Sequence, residues 1–361
     1  MRQGNLTKVA MGTEQGPGKK VLVGAGRTII QERRGVSPCR GGRRGDSGAR
    51  TPAGPRPPEG SHTMYHIISI RDFERKDLDY LLDRAREFDT GKYGSRMLED
   101  KLAALLFFEP STRTRMSFAT AMARLGGRSI GVDSVEASSI VKGETLADTI
   151  RVVSGYADAI VLRHPKEGAA RLASQFATVP VINAGDGAGQ HPSQTLLDLY
   201  TIRQSMPVDG INVGLLGDLR YGRTAHSLAL ALSLYGVTLH TIAPGGLEMP
   251  ANITLELRER GMEVIEHEDV QEVVRDLDVL YVTRIQRERF PDSASYYNVA
   301  SSYRITPDHL AGVKDHLMIL HPLPRAGEID PAVDRTPYAR YFEQARNGVP
   351  VRMALLHEVM K

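Results

Sequence analysis

The sequence contains a single cysteine, Cys39, and no apolar run long enough to cross a membrane. One cysteine cannot form an internal disulfide, and no cluster of Cys and His residues has the spacing of metal ligands. The apolar runs fall short of the ~18–20 residues of a membrane-spanning helix. The chain also does not open with the charged and then apolar pattern of a secretory signal. We therefore expect a protein of a reducing, cytoplasmic setting that has no membrane partner.

What the chain does contain is the composition of a soluble globular protein. Of its 361 residues, 41% are hydrophobic and 25% are charged. This length is enough for two ordinary domains. The net charge of +3 is unevenly distributed. Residues 1–63 carry 12 Lys and Arg against 4 Asp and Glu, a balance of +8, whereas the remaining 298 residues carry 34 against 39, a balance of −5.

The basic segment 1–63 is rich in Gly, Pro and Arg and poor in periodic apolar residues. It cannot bury enough surface to offset the entropy cost of ordering, and we predict that it is disordered. It could be an extension upstream of a true start at Met64, a solvated tail without a role, or an Arg-rich organelle-targeting segment. A nucleic-acid-binding arm lacks support because no aromatic residue is interleaved with the arginines, so we expect no nucleic-acid partner.

From Met64 onward, short apolar runs alternate with segments of helical period such as SFATAMARLGG and TLLDLYTIRQSM. Continuous apolar strands that alternate with helices are typical of parallel sheets covered on both faces. The pattern predicts two doubly wound α/β domains, with their join near residues 191–201. The predicted strands are 102–108, 159–164, 179–185, 211–218, 237–244, 279–285 and 317–323.

Polar motifs follow six of these strands at the point where each one ends. In open parallel sheets, ligands bind outside the carboxyl ends of the strands. All six motifs therefore point to the edges of the sheets where a site is expected. They are Ser111–Arg115, Arg163 with His164, His191 with Gln194, Arg223, Arg284 with Gln286, and His321.

The stretch EPSTRTR runs from the first of these strands into an amphipathic helix. Ser111 and Thr112 occupy N-cap positions, and the first-turn amides of a helix have no internal partner. With Arg113, they would make a compact phosphate-binding site. A Walker P-loop and a G-x-G-x-x-G turn are both absent. We expect Arg113 to face the ligand and Arg115, two positions later, to face elsewhere.

Seven motifs together resemble the aspartate/ornithine carbamoyltransferase family, and the likeness covers essentially residues 64–361. The S-T-R-T-R element is common to the whole family, whereas HPLPR and the TRIQRER stretch resemble its aspartate branch. The ornithine branch carries a cysteine in H-C-L-P, and this chain has no cysteine beyond Cys39. The motifs are FFEPSTRTR, VKGETLADT, DAIVLRHPKEGAA, NAGDGAGQHPSQTLLDLYT, GLLGDLRYGRTAHS, YVTRIQRER and HPLPR.

The resemblance implies an enzyme that transfers the carbamoyl group of carbamoyl phosphate to L-aspartate in pyrimidine biosynthesis, without metal or organic cofactor. It implies a carbamoyl phosphate-binding domain over 64–195, completed by a C-terminal helix at 345–361, and an aspartate-binding domain over 196–344. The site would lie in the cleft between them. We also expect Glu109 to pair with a site arginine rather than act as a base.

The resemblance also assigns the site residues. Ser111, Thr112, Arg113 and Thr114 would bind the phosphate, and Thr114, Arg163 and His191 the carbamoyl oxygen, these last three being the catalytic residues. Gln194 would orient the carbamoyl amide. Arg223, Arg284, Gln286, Leu323 and Pro324 would bind aspartate, and Ser138 and Lys142 would enter a neighbouring subunit's site, with Lys142 reaching both substrates.

That sharing of residues would make a homotrimer necessary for catalysis, and association with a separate regulatory chain stays open. Two other functions also stay open. The chain could be a carbamoyltransferase for another acceptor such as ornithine, or a carbamoyltransferase-like subunit that has lost activity. The second is disfavoured because every catalytic position of the family is present in this sequence.

Overall fold

In a computed structural model, residues 65–94, 96–132, 143–285 and 303–361 are described, and they contain two parallel β-sheets. The first sheet has the strand order β2-β1-β3-β4 and the second β7-β6-β5-β8-β9. The first comprises β1 (Leu102–Phe107), β2 (Arg128–Val132), β3 (Ala159–His164) and β4 (Val181–Asp186). The second comprises β5 (Asn212–Leu216), β6 (Thr238–Ile242), β7 (Glu263–His267), β8 (Val279–Val282) and β9 (Met318–Leu320).

Where the structure describes the chain, helices cover both faces of the first sheet and one face of the second, whose other face packs against 3-10 turns and loops. Among the described residues the helices are α1 (Arg75–Asp89), α2 (Thr112–Arg124), α3 (Leu146–Ser154), α4 (Ala169–Phe176), α5 (Pro192–Ser205), α6 (Arg223–Leu232), α7 (Ala251–Glu259) and α8 (Tyr341–Met360). Short 3-10 turns occur at Ile70–Asp72, Val270–Glu272, Pro307–Leu310 and Pro331–Arg335. The predicted fold class of two parallel sheets flanked by helices is confirmed.

Successive residues of β1 show how one strand serves two cores. Leu105 and Phe107 pack with α1, α2, α5 and α8, whereas Ala104 and Leu106 face α3 and α4. Alternate side chains of a strand point to opposite faces, so a strand covered on both sides must be apolar at every position. This requirement explains the continuous apolar runs in the sequence.

Two strands at sheet edges escaped prediction because most of their side chains are exposed. β2 has four exposed residues of five, and β7 reads EVIEH with only Val264 buried. An edge strand pairs on one side only and can carry polar side chains, in which case it produces no continuous apolar run. The other two edge strands, β4 and β9, are buried, and their apolar runs made them predictable. All seven predicted strands are present, and these two add to them.

Helices α5 and α8 join the two halves of the described chain. From Pro192 to Ile202 every residue of α5 is buried, and α8 packs against α1, α2 and α5. The predicted domain boundary at 195/196 lies within α5, so the division into residue ranges stays a prediction. In the described part of the chain, every helix is too short or too polar to cross a membrane.

Candidate active site

A cavity of about 790 Å³ opens at the carboxyl ends of strands from both sheets. The residues that line it include most of the predicted site: Ser111, Thr112, Arg113, Thr114, Arg163, His191, Gln194, Arg223, Arg284, Leu323 and Pro324. These residues come from loops and helix starts that are far apart in the sequence. The sheets bring them together because parallel strands end at the same edge.

The start of α2 forms one wall of the cavity. Ser111 is the N-cap of the helix, and its side chain makes no capping hydrogen bond. The first-turn amides, which form the positive end of the helix, and the hydroxyls of Ser111 and Thr112 are therefore available to bind an anion. Arg113 lines the cavity and Arg115 is not among the lining residues. Burial lowers the pKa of the Arg113 guanidinium, so an anion beside it would gain from the pairing.

Glu109 joins arginines from the two sheets. Its Oε1 accepts a hydrogen bond from Arg163 Nη2 at 2.7 Å and another from Arg223 Nη2 at 3.2 Å. Arg163 lies at the end of β3, and Arg223 begins α6 beyond β5. Burial raises the pKa of the Glu109 carboxyl, but the two arginines outweigh that effect and hold it below its ordinary value. The expected pairing of Glu109 with a site arginine is confirmed.

Each arginine of this pair is also fixed by a backbone carbonyl. Arg163 Nη1 donates to Ala184 O at 3.2 Å, and Arg223 Nη1 donates to the carbonyl of Gly187. Between them lies Gly185, with φ at +114°. A Cβ atom on Gly185 would lie 3.1 Å from Arg163 Nη1 and 3.3 Å from His191 Cδ2. Glycine at this position therefore permits the close approach of the cationic side chains.

His191 is buried at the N-cap of α5, with Pro192 as the first helical residue. Burial, followed by the nearby charges of Arg163 and Arg223, lowers the pKa of the imidazole well below 6.5. The ring is therefore neutral near pH 7 and can donate one hydrogen bond without acting as a cation. Ser193 Oγ lies 3.5 Å from His191 Nδ1.

The loop after β9 closes the opposite side of the cavity. His321 Nε2 lies 2.6 Å from Glu328 Oε1, and His321 Nδ1 accepts the backbone N–H of Leu323 at 2.8 Å. Leu323 has φ at +56°, a conformation that the surrounding hydrogen bonds hold in place. These contacts fix the loop in which Leu323 and Pro324 line the cavity.

Three predicted site residues, Ser138, Lys142 and Gln286, lie outside the described residues. Several residues that line the cavity were not predicted, and two of them, Gln344 and Arg352, are buried on α8. Burial lowers the pKa of Arg352 to about 9. The signal that could have revealed Arg352 is a charged residue within the apolar stretch GVPVRMALL, where a charge is costly unless it serves a site.

His164 and His226, whose motifs also follow strands, do not line the cavity. His164 Nδ1 accepts the backbone N–H of Lys166 at 3.0 Å, and His226 Nε2 lies 2.6 Å from Leu219 O. Both histidines therefore hold loops near the site.

Two parallel β-sheets flanked by helices, with an arginine-lined cavity at the carboxyl ends of their strands, are typical of a protein that binds small anionic ligands such as phosphates and carboxylates. Comparison with models of known protein families identifies the family within this class. The carbamoyl-phosphate-binding domain of aspartate/ornithine carbamoyltransferases matches residues 65–204, and the Asp/Orn-binding domain matches 209–359. The chain belongs to the aspartate/ornithine carbamoyltransferase family.

Individual relatives belong to the aspartate branch. The aspartate carbamoyltransferase catalytic subunit of Methanoculleus marisnigri is 92% identical over 298 residues, which are 82% of this chain and 100% of that one. The catalytic subunit of M. jannaschii aspartate transcarbamoylase superimposes with a TM-score of 0.78 at 50% identity, covering 82% of this chain and 98% of that one. Aspartate transcarbamoylase from Trypanosoma cruzi, in complex with carbamoyl phosphate and aspartate, gives 0.76 at 39% identity, covering 82% and 95%.

Proposed function

We propose that the arginine-lined cavity is the active site in which this chain acts as an aspartate carbamoyltransferase. The enzyme transfers the carbamoyl group of carbamoyl phosphate to L-aspartate and gives N-carbamoyl-L-aspartate and phosphate. The observation that carries the assignment of the site is the meeting of Arg163 and Arg223, from the two sheets, on Glu109 beside a neutral His191.

Carbamoyl phosphate would bind at the start of α2. Its phosphate would accept hydrogen bonds from the hydroxyls and amides of Ser111, Thr112 and Thr114 and from Arg113, because a helix start and an arginine together suit a dianion. Its carbonyl oxygen would lie among Thr114, Arg163 and His191, and Gln194 would contact its amide. Ser138 and Lys142 would also contact carbamoyl phosphate, an assignment that rests on the sequence resemblance alone.

Aspartate would bind with its two carboxylates on Arg223 and Arg284, helped by Gln286, Lys142 and the backbone of Leu323 and Pro324. Arginine suits this task because its planar guanidinium pairs with a carboxylate through two parallel hydrogen bonds. Support comes from the cavity lining, where Arg223 and Arg284 stand on the side of the second sheet. The positive side chain of ornithine would meet these arginines unfavourably.

In the reaction, the neutral amine of aspartate attacks the carbamoyl carbon, and negative charge develops on the carbonyl oxygen. Arg163, Thr114 and His191 would stabilise that charge, each donor of this kind being worth ~3–4 kcal/mol. A neutral His191 can donate a proton in a hydrogen bond but is too weakly basic to accept one from the amine. The departing phosphate, which would lie in the same cavity, is therefore the proposed acceptor of the amine proton. Holding two anions side by side supplies much of the remaining acceleration.

The finer features follow the same likeness. We infer a cytoplasmic homotrimer of the pyrimidine pathway in which Ser138 and Lys142 enter the neighbouring subunit's site. Its domains would span 64–195 and 196–344, and residues 345–361, most of which belong to α8 (Tyr341–Met360), would complete the first. A mixture of an Arg163→Ala chain and a Lys142→Ala chain, each inactive alone, would regain activity in hybrid trimers. Absence of recovery would contradict shared sites. Association of the trimer with a separate regulatory chain stays an open question.

The direct experiment is colorimetric detection of carbamoyl-aspartate from the purified protein, with each substrate omitted in turn. We expect product only when both substrates are present, and a screen of other amino acids, ornithine included, should give none. Product with ornithine would favour the alternative acceptor. Tight binding of phosphonoacetyl-aspartate without any turnover would favour a subunit that has lost activity.

A further inference from the structure

We propose that Asp198 is a positioning residue that fixes the direction of the Gln194 amide and so makes the site select an acyl phosphate bearing an –NH2 group. Asp198 does not line the cavity, and although it stands in the motif NAGDGAGQHPSQTLLDLYT, no role was predicted for it from the sequence. The proposal rests on the proposed function, because it concerns how the site recognises the carbamoyl group.

Asp198 lies at the centre of a fully buried network that ties three elements together. Its Oδ1 accepts hydrogen bonds from Gln194 Nε2 at 2.8 Å and from Gln344 Nε2 at 2.6 Å. Its Oδ2 accepts one from the Tyr281 hydroxyl at 3.0 Å. Asp198 and Tyr281 have no exposed surface, and Gln194 and Gln344 are more than nine-tenths buried. The carboxylate therefore links α5, β8 and α8.

The direction of the Gln344 amide is independently determined. Its Oε1 accepts the backbone N–H of His321 at 2.8 Å, and a backbone N–H can only donate. The other end of the Gln344 amide, the NH2 group, must then face Asp198. Oδ1 of Asp198 is thus an acceptor of amide protons whatever the charge of the carboxyl, since a proton on the group would reside on Oδ2.

The same acceptor determines the direction of Gln194. Because Oδ1 accepts, the Gln194 amide must turn its NH2 group toward Asp198, and its carbonyl oxygen is the end that remains for a ligand in the cavity. A buried carbonyl oxygen is satisfied by a donor and not by an apolar group. The carbamoyl group carries such a donor in its –NH2, whereas acetyl phosphate presents a methyl group of similar size at the same position.

Sites built to hydrogen-bond a substrate group reject analogues that lack it, because a buried polar atom is then left unpaired. Loss of the fixed direction should therefore weaken binding of carbamoyl phosphate selectively. A net hydrogen bond of ordinary strength corresponds to roughly a tenfold change in affinity. Binding of acetyl phosphate, which gains nothing from the Gln194 carbonyl, should stay nearly constant.

The experiment measures the dissociation constants of carbamoyl phosphate and acetyl phosphate by isothermal titration, in the intact wild-type protein and in three variants. In Asp198→Ala, we expect the preference for carbamoyl phosphate to fall roughly tenfold. Asp198→Asn should keep the preference, because its Oδ1 still accepts both amides while its NH2 group faces Tyr281. Tyr281→Phe disturbs the same network but leaves the Gln194 bond, so it should also keep the preference.

The outcomes separate a positioning role from a merely structural one. Equal weakening of both ligands in Asp198→Ala, or an unchanged preference, would overturn the role of Asp198. Should that variant fail to fold, Asp198→Leu fills the space without accepting a hydrogen bond and is expected to give the same loss of preference. A wild-type protein that makes no carbamoyl-aspartate would overturn the proposed function instead, so the two failures are distinct.

Discussion

Replacement of Arg163 by alanine should abolish most of the turnover while leaving the protein folded. Arg163 is only 9% exposed, and it donates to Glu109 and to Ala184 O from its two terminal nitrogens. If it supports the developing oxyanion, its loss removes one donor worth about 3–4 kcal/mol, or about 10²–10³ in kcat. The KM for aspartate should change less than about threefold, because other arginines bind the carboxylates.

The cost to stability should be far smaller than the cost to catalysis. Two hydrogen bonds disappear, each worth about 1 kcal/mol net. Glu109 keeps its bond to Arg223, and the repulsion between Arg163 and Arg223, which together with burial lowers the pKa of Arg163, is relieved. We therefore expect the free energy of unfolding to fall by about 1–2 kcal/mol, measured by chemical denaturation.

A matched control is Arg171→Ala on α4. Arg171 pairs with Asp72 at the surface, with about half of its side chain exposed, and it is not among the cavity-lining residues. Its removal should leave kcat unchanged and stability within about 0.5 kcal/mol. Turnover of Arg163→Ala within about threefold of wild type, at saturating concentrations of both substrates, would refute its assignment to the oxyanion site.

Three further outcomes follow from the same contacts. Glu109→Gln should raise the KM for aspartate about tenfold or more in steady-state kinetics, because a neutral amide no longer holds the arginines of both sheets; an unchanged KM would count against that link. Gly185→Ala should cost about 1–3 kcal/mol in a denaturant titration, since its φ of +114° and the nearby Arg163 oppose a side chain; a stable, active variant would contradict this. Burial raises the pKa of Asp198 from 3.8 to about 7, so the folded state binds that proton more tightly than the unfolded state does, and the free energy of unfolding should fall by about 1.4 kcal/mol between pH 6 and pH 8. Asp198→Asn should lack this contribution in thermal melts at the two pH values. The same pH dependence in the wild type and the variant would disprove the account.

The buried parts of the fold and the loops that line the cavity were predictable from sequence, for a common physical reason. Strands covered on both faces must be apolar throughout, and polar side chains directly after them must lie at a sheet edge. Arg113, Arg163 and Arg223 satisfy this pattern. Arg284 satisfies it as well, and the assignment of both Arg223 and Arg284 to aspartate came from family resemblance.

The residues that escaped prediction share a different property: their environment depends on contacts distant in sequence. β2 and β7 lie at sheet edges with most of their side chains exposed, and no local pattern reveals that a polar segment will pair there. Asp198 and Gln344 are 146 residues apart, and each resembles an ordinary helical surface residue until α5 and α8 pack together. Arg352 likewise becomes a cavity residue only through the return of α8.

The charges around the cavity explain why it should bind two anions rather than one. Among the described residues that line it, five are arginines and one, Glu109, is acidic, which gives an excess of four formal positive charges when the histidines are left out of the count. Burial opposes this excess, as the lowered pKa values of Arg113, Arg163 and Arg352 indicate. A phosphate dianion supplies about two negative charges and a dicarboxylate two more. The pair of substrates, and neither alone, would neutralise the lining, so the electrostatic cost of assembling the arginines becomes binding energy that holds the reactants together.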